Sequence, residues 1–234
     1  MEIVTANRVD MSSFGLETEC SVYIAHIVVR NIAELAQVMI SEISDTSWMN
    51  KLDAIEKRAF EATSRRTIEE LTSNVFGKYE DDVTTDFGEY IISMAAQNAL
   101  VVSCNHIKLP LAELIKEKVK GNPGFDFHTE TTINNVAFGE AKYSGSKTTY
   151  GIALEQINRF IRLGKDDAEL VTLRPFLSRP ACINCERGHK SYVAAFSLNS
   201  ENPQAALGNC IKSKHFMSLL DNPELFMIGV EIHD

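Results

Sequence analysis

Gly124-Phe125-Asp126-Phe127 and Val136-Ala137-Phe138-Gly139-Glu140-Ala141-Lys142-Tyr143 are two short apolar runs, each with charge where a half-buried strand should carry a hydrophobe or a neutral residue. Strand side chains alternate between faces, so Glu140 and Lys142 project from one face together with Phe138. If the runs pair as a hairpin, Asp126 approaches Glu140 from the neighbouring strand. Two carboxylates that close repel, and one pKa rises unless a cation lies between them. A hard divalent ion, Mg²⁺ or Mn²⁺, answers this, because it takes oxygen ligands and usually keeps several waters. Lys142 beside it would orient or deprotonate a nucleophilic water, or neutralise charge building on a phosphate.

The flanking sequence supplies two helices. Asp86-Phe87-Gly88-Glu89-Tyr90-Ile91-Ile92 opens a run whose apolar residues continue through Met94, Ala95 and Leu100. After the hairpin, Tyr150, Ala153, Leu154, Ile157, Phe160 and Ile161 recur at helical spacing, with Glu155-Gln156 near the start of that helix. An acid followed by a strand bearing Glu-x-Lys, between such helices, resembles the active site of the PD-(D/E)xK nuclease superfamily over roughly residues 84–165.

That resemblance implies an α/β fold with a restriction-endonuclease-like core, a mixed sheet flanked by helices, in residues 81–234. It implies catalytic roles for Asp126, Glu140 and Lys142, with Glu89 as the extra helical acid and Gln156 as the added polar residue. Asp126, Glu140 and Glu89 become the expected ligands of Mg²⁺ or Mn²⁺, and the activity becomes metal-dependent hydrolysis of DNA. Within the superfamily the layout is similar to the effector nucleases of Hachiman antiphage defence. This implies a bacterial complex in which a partner helicase restrains the nuclease until damaged or phage DNA is sensed. A stand-alone restriction-type endonuclease, or a non-catalytic nucleic-acid-binding module on a decayed nuclease fold, are the alternatives.

Charge distribution bears on that choice. The 234-residue chain has a net charge of −9, which repels a phosphate backbone. Residues 1–110 hold 9 Lys+Arg against 17 Asp+Glu, leaving 14 against 15 in residues 111–234. The acid thus lies away from the expected site, where Lys142, Lys147, Arg159, Arg162 and Lys165 offer a modest basic lining. Weak intrinsic affinity for DNA, compensated by a partner protein, is the expectation.

Residues 1–80 read as an α/β extension and a candidate docking surface for that partner. Cys20–Val29 predicts a buried strand, and Ile32–Ile43 a helix with Leu35, Val38 and Met39 inward. Lys51–Val75 predicts a charged helix with an apolar stripe through Leu52, Ile55, Ala59, Ile68, Leu71 and Val75. Lys78–Thr85 reads as an acidic linker, Pro110–Lys120 as a short helix, and Asn122-Pro123-Gly124 as a turn. Further strands are expected at Leu170–Leu173, Tyr192–Leu198 and Leu225–Ile232, with a helical stretch over Ala205–Leu220.

Five cysteines, odd in number and widely spaced, fit reduced thiols in cytoplasm. No apolar run approaches the roughly 20 residues that span a bilayer, and Met1-Glu2-Ile3-Val4 lacks the features of a signal peptide, so a cytoplasmic protein is expected. Cys182-Ile183-Asn184-Cys185 with His189 offers three zinc ligands in a loop. Cys210 or His215 is an available fourth without characteristic spacing, so unligated thiols are expected. His26 reads as a core histidine, and His128 lies close enough to Asp126 to contact the site.

Overall fold

The structure, a computed structural model, describes residues 1–75, 83–116 and 124–233. Most of the expected linker at Lys78–Thr85, and Asn122 and Pro123 of the expected turn, lie outside these residues. In chain order the elements are β1 (Glu2–Arg8), β2 (Ser21–Val29), α1 (Ile32–Ser44), α2 (Ala54–Glu70), α3 (Thr85–Cys104), β3 (Ile107–Lys108), α4 (Ala112–Ile115), β4 (Phe127–Glu130) and β5 (Val136–Lys142). They continue with α5 (Tyr150–Arg162), α6 (Lys165–Leu173), α7 (Arg179–Glu186), β6 (Lys190–Ser197), α8 (Pro203–Ile211), α9 (Lys214–Met217) and β7 (Glu224–Ile232).

The architecture is α/β. The described residues form a seven-stranded mixed sheet in the order β1-β2-β7-β6-β5-β4-β3. β2, β7, β6 and β5 run parallel, while β1, β4 and β3 complete the two sides antiparallel. Parallel strands covered on both faces need continuous apolar runs, and β6 and β7 satisfy this, with Tyr192–Phe196 and Leu225–Val230 buried. On one face, Ala36 and Met39 of α1 and Ile91, Ala95 and Ala99 of α3 pack against Ala137, Ala141, Val193 and Ile228. On the other, Ala153, Leu154, Ile157 and Phe160 of α5 join Ala181, Leu207 and Phe216 over Phe138, Ala194 and Met227. The sheet crosses the boundary drawn at residue 80, since β2 pairs with β7 over nine positions, Ser21↔Glu224 to Val29↔Ile232.

Local chemistry sets the helices that frame β5. Thr84 caps α3 by accepting from the Phe87 N–H, and Asn105 closes it in the left-handed region at φ 55°. α5 buries Ala153, Leu154, Ile157 and Phe160 at a three-to-four spacing and leaves Arg159 and Arg162 exposed in its last turn.

Several expectations are corrected. Leu170–Leu173 is not a strand but the end of α6: Gly164 enters the helix at φ 63°, Asp166 and Asp167 occupy its first turn, and Asp166, Glu169 and Leu173 are buried at helical spacing. Cys182 and Cys185 are helical rather than in a loop, because Ser178 caps α7 by accepting from the Ala181 N–H and Pro180 sits in its first turn. Val38 and Ile55 point outward, at 44% and 83% exposure. Within Pro110–Lys120 only Ala112–Ile115 is helical among the described residues. Leu71–Val75 is a π turn following α2, and β1, a partly exposed strand against β2, escaped the sequence reading. Among the described residues no helix is long and apolar enough to cross a membrane.

Candidate active site

The hairpin forms as an antiparallel pair with Phe127 opposite Gly139. The Asp126 N–H donates to the Gly139 carbonyl at 2.9 Å, one residue out of the ladder's register, which sets Asp126 beside the Gly139–Ala141 stretch of β5. Gly139 permits this close pairing: a Cβ there would run into the Phe127 ring. On the opposite side of the site, Gly88 lets α3 approach the end of β5, because a Cβ would collide with the Tyr143 ring. That approach brings Glu89 to Lys142.

Lys142 Nζ lies 2.8 Å from Glu140 Oε1 and 3.2 Å from Glu89 Oε1. Asp126 is half-buried, and its Oδ2 accepts from the Ala141 N–H at 2.8 Å. Glu140 is 0% exposed. Its Oε1 is paired with the Lys142 ammonium, and its carboxyl group lies within hydrogen-bonding reach of Asp126. Burying a carboxylate costs free energy, and acids perturbed in this way cluster at functional sites.

The electrostatics follow from three carboxylates gathered around Lys142. Burial, then the charge of Asp126, pushes Glu140 well above the usual glutamate range against the pull of Lys142. Burial likewise raises Asp126 and Glu89, each against the same ammonium. For Lys142, burial opposes the charge, but Glu140, Asp126 and Glu89 outweigh it and raise its pKa. Lys142 is therefore held as a cation, suited to hydrogen-bond donation and charge neutralisation rather than to taking a proton from water.

Excess negative charge on gathered carboxylates is a donor set for a hard cation. Asp126 and Glu140 supply the one or two carboxylates that Mg²⁺ takes alongside water and substrate oxygens, so the residues present fit the ion. The expected third ligand, Glu89, joins the pair through the Lys142 ammonium. Among the described residues no three His, Cys, Asp or Glu side chains converge to hold a metal by themselves.

Gln156 is half-buried on α5, and among the described residues no hydrogen bond or ion pair ties it to the carboxylates. Its helix covers the face where Phe138 packs, the face from which Glu140 projects. His128 meets Glu169 Oε2 at 2.7 Å, and no hydrogen bond joins it to Asp126 among the described residues. Burial holds its imidazole below the usual histidine range, hence neutral near pH 7. Cys182 and Cys185 lie one turn apart on α7, and burial pushes the Cys185 thiol up to about 11. His26 is buried in β2, 3.3 Å from Glu231.

The sequence reading missed Glu169 and Lys116, which bond to the residue before Asp126. A signal existed in Gly164 and the paired acids that open α6, which place Glu169 on a helix. The chain matches no family model and no curated protein.

Proposed function

We propose that this chain is a metal-dependent deoxyribonuclease of PD-(D/E)xK type with a restriction-endonuclease-like core. One observation carries the reading: Glu140, fully buried, lies against Asp126 and 2.8 Å from Lys142. Asp126 and Glu140 are the residues to hold Mg²⁺ or Mn²⁺, which when bound supplies Lewis acidity toward a phosphate oxygen and acidifies a water. Lys142 neutralises charge on the phosphate as the transition state forms. Glu89 holds the Lys142 ammonium from the side of α3. Gln156 is a candidate for contact with DNA along α5.

The same reading makes the chain the effector of an antiphage complex restrained or delivered by a partner helicase. Support comes from charge: at −9 the free chain attracts few phosphates. The first 80 residues are the proposed docking region, and α2 carries Ile55 at 83% exposure there. Purified protein should bind DNA at physiological salt no more tightly than the nonspecific range of roughly 10⁻⁴ to 10⁻⁶ M. Nanomolar binding in a fluorescence-anisotropy titration would favour the stand-alone endonuclease instead.

The direct test of activity is incubation of plasmid DNA with micromolar protein in Mg²⁺ or Mn²⁺. Degradation that EDTA stops supports the proposal. DNA left intact with both ions contradicts it.

A further inference from the structure

Behind Asp126 lies a second buried constellation that phosphodiester hydrolysis does not itself use. Glu169, on α6, is 6% exposed. Its Oε1 accepts from the Phe125 N–H at 2.9 Å and lies 2.8 Å from Lys116 Nζ, while its Oε2 lies 2.7 Å from His128 Nε2. Lys116 Nζ also donates to the Phe125 carbonyl at 2.9 Å. Both backbone polar groups of the residue preceding Asp126 are thus taken by this ion pair, and the same carboxylate holds the side chain two residues after it. Gly124 makes room for the arrangement, because a Cβ there would run into Glu169 Oε1 and crowd Lys116 Nζ at 3.0 Å.

Asp126 needs such support. Its side chain is tied by one backbone donor, Ala141, and otherwise meets only side chains, a hydrogen bond with Glu140 and the charge of Lys142. β4 is only four residues long and begins after Asp126, so hairpin hydrogen bonds alone hold its position weakly. We propose that Glu169, with Lys116, is a positioning residue that clamps the Phe125 peptide and so fixes the Asp126 carboxylate against Glu140 and the Ala141 N–H. Its catalytic consequence rests on the reading of Asp126 as part of a hydrolytic site. Misplacement of a reacting group by an ångström costs up to about 100-fold in rate, and loss of a supporting partner around a metal ligand about 10–100-fold.

The experiment pairs amide hydrogen exchange with steady-state cleavage of DNA in Mg²⁺, on the full chain and on Glu169→Ala and Glu169→Gln. In Glu169→Ala, protection at the Phe125 and Ala141 amides should fall at least about tenfold while β6 and β7 stay protected. Its kcat should fall about 10–100-fold with KM little changed. Glu169→Gln keeps an acceptor for the Phe125 N–H and should recover most of both. Unchanged Ala141 protection in Glu169→Ala overturns the proposal, as does lost protection with unchanged kcat. If Glu169→Ala does not fold, Gly124→Ala, which pushes the carboxylate off the Phe125 N–H, carries the same expectations. If the parent protein cleaves no DNA, the nuclease reading fails on that ground, and Ala141 protection alone decides whether Glu169 holds Asp126.

Discussion

Glu140→Ala should lower Mg²⁺-dependent cleavage of DNA by roughly 10³-fold or more while leaving the sheet folded. Losing a metal-binding carboxylate removes much of the Lewis acidity and water activation that the ion would supply, several kcal/mol of transition-state stabilisation. Lys142→Ala removes a transition-state donor from a preorganised site, which costs about 10²–10³-fold. The two differ in remedy: a higher Mn²⁺ concentration should partly restore Glu140→Ala and leave Lys142→Ala unchanged. Single-turnover rates with protein in excess separate the chemical step from weak DNA binding. Cleavage by Glu140→Ala at the parent rate would remove β5 from the chemistry.

Glu140→Gln should raise stability in the absence of divalent metal, and more so as pH rises. Glu140 lies in the core, where burial and then the charge of Asp126 disfavour its ionised form against the pull of Lys142. Its folded pKa is raised, so the folded chain binds the proton more tightly than the unfolded chain. Stability from this group is fully present below the unfolded glutamate pKa and is lost as pH rises through the folded value. Glutamine cannot ionise and escapes that loss. The advantage should be near zero at pH 4 and grow toward neutral pH, because Asp126 and Glu89 remain to hold the Lys142 charge. Urea denaturation of both proteins between pH 4 and 8 checks it. A mutant less stable than the parent at pH 7 would mean that the Lys142 contact outweighs burial. Such a gain in stability at the expense of activity is the usual mark of a functional site.

The central hairpin was legible because strand alternation is local: Asp126, Glu140 and Lys142 broke an apolar pattern that burial should have kept neutral. α3 and α5 were legible for the same reason at helical period. Leu170–Leu173 misled because four residues with a β-branched Val look like a buried strand, whereas the deciding features, Gly164 and the acids of the first turn, lie upstream of it. The Cys182-x-x-Cys185 pair drew attention to metal geometry and away from Ser178 and Pro180, which start a helix. β1 is too exposed and too polar to give a clear alternation. The Glu169 clamp joins residues 44 positions apart, so no local pattern could announce it. Gln156 was placed by resemblance alone, and geometry leaves it without a bond to the carboxylates.

The most direct measurement of the central claim is a calorimetric titration of Mn²⁺ into metal-free parent protein, Asp126→Asn and Glu140→Gln. The parent should bind the ion, and its melting temperature should rise with ion concentration by mass action. Each variant should lose at least about tenfold in affinity and most of the thermal shift. Equal Mn²⁺ affinity and equal thermal shift in all three proteins would contradict a metal-dependent site built on Asp126 and Glu140.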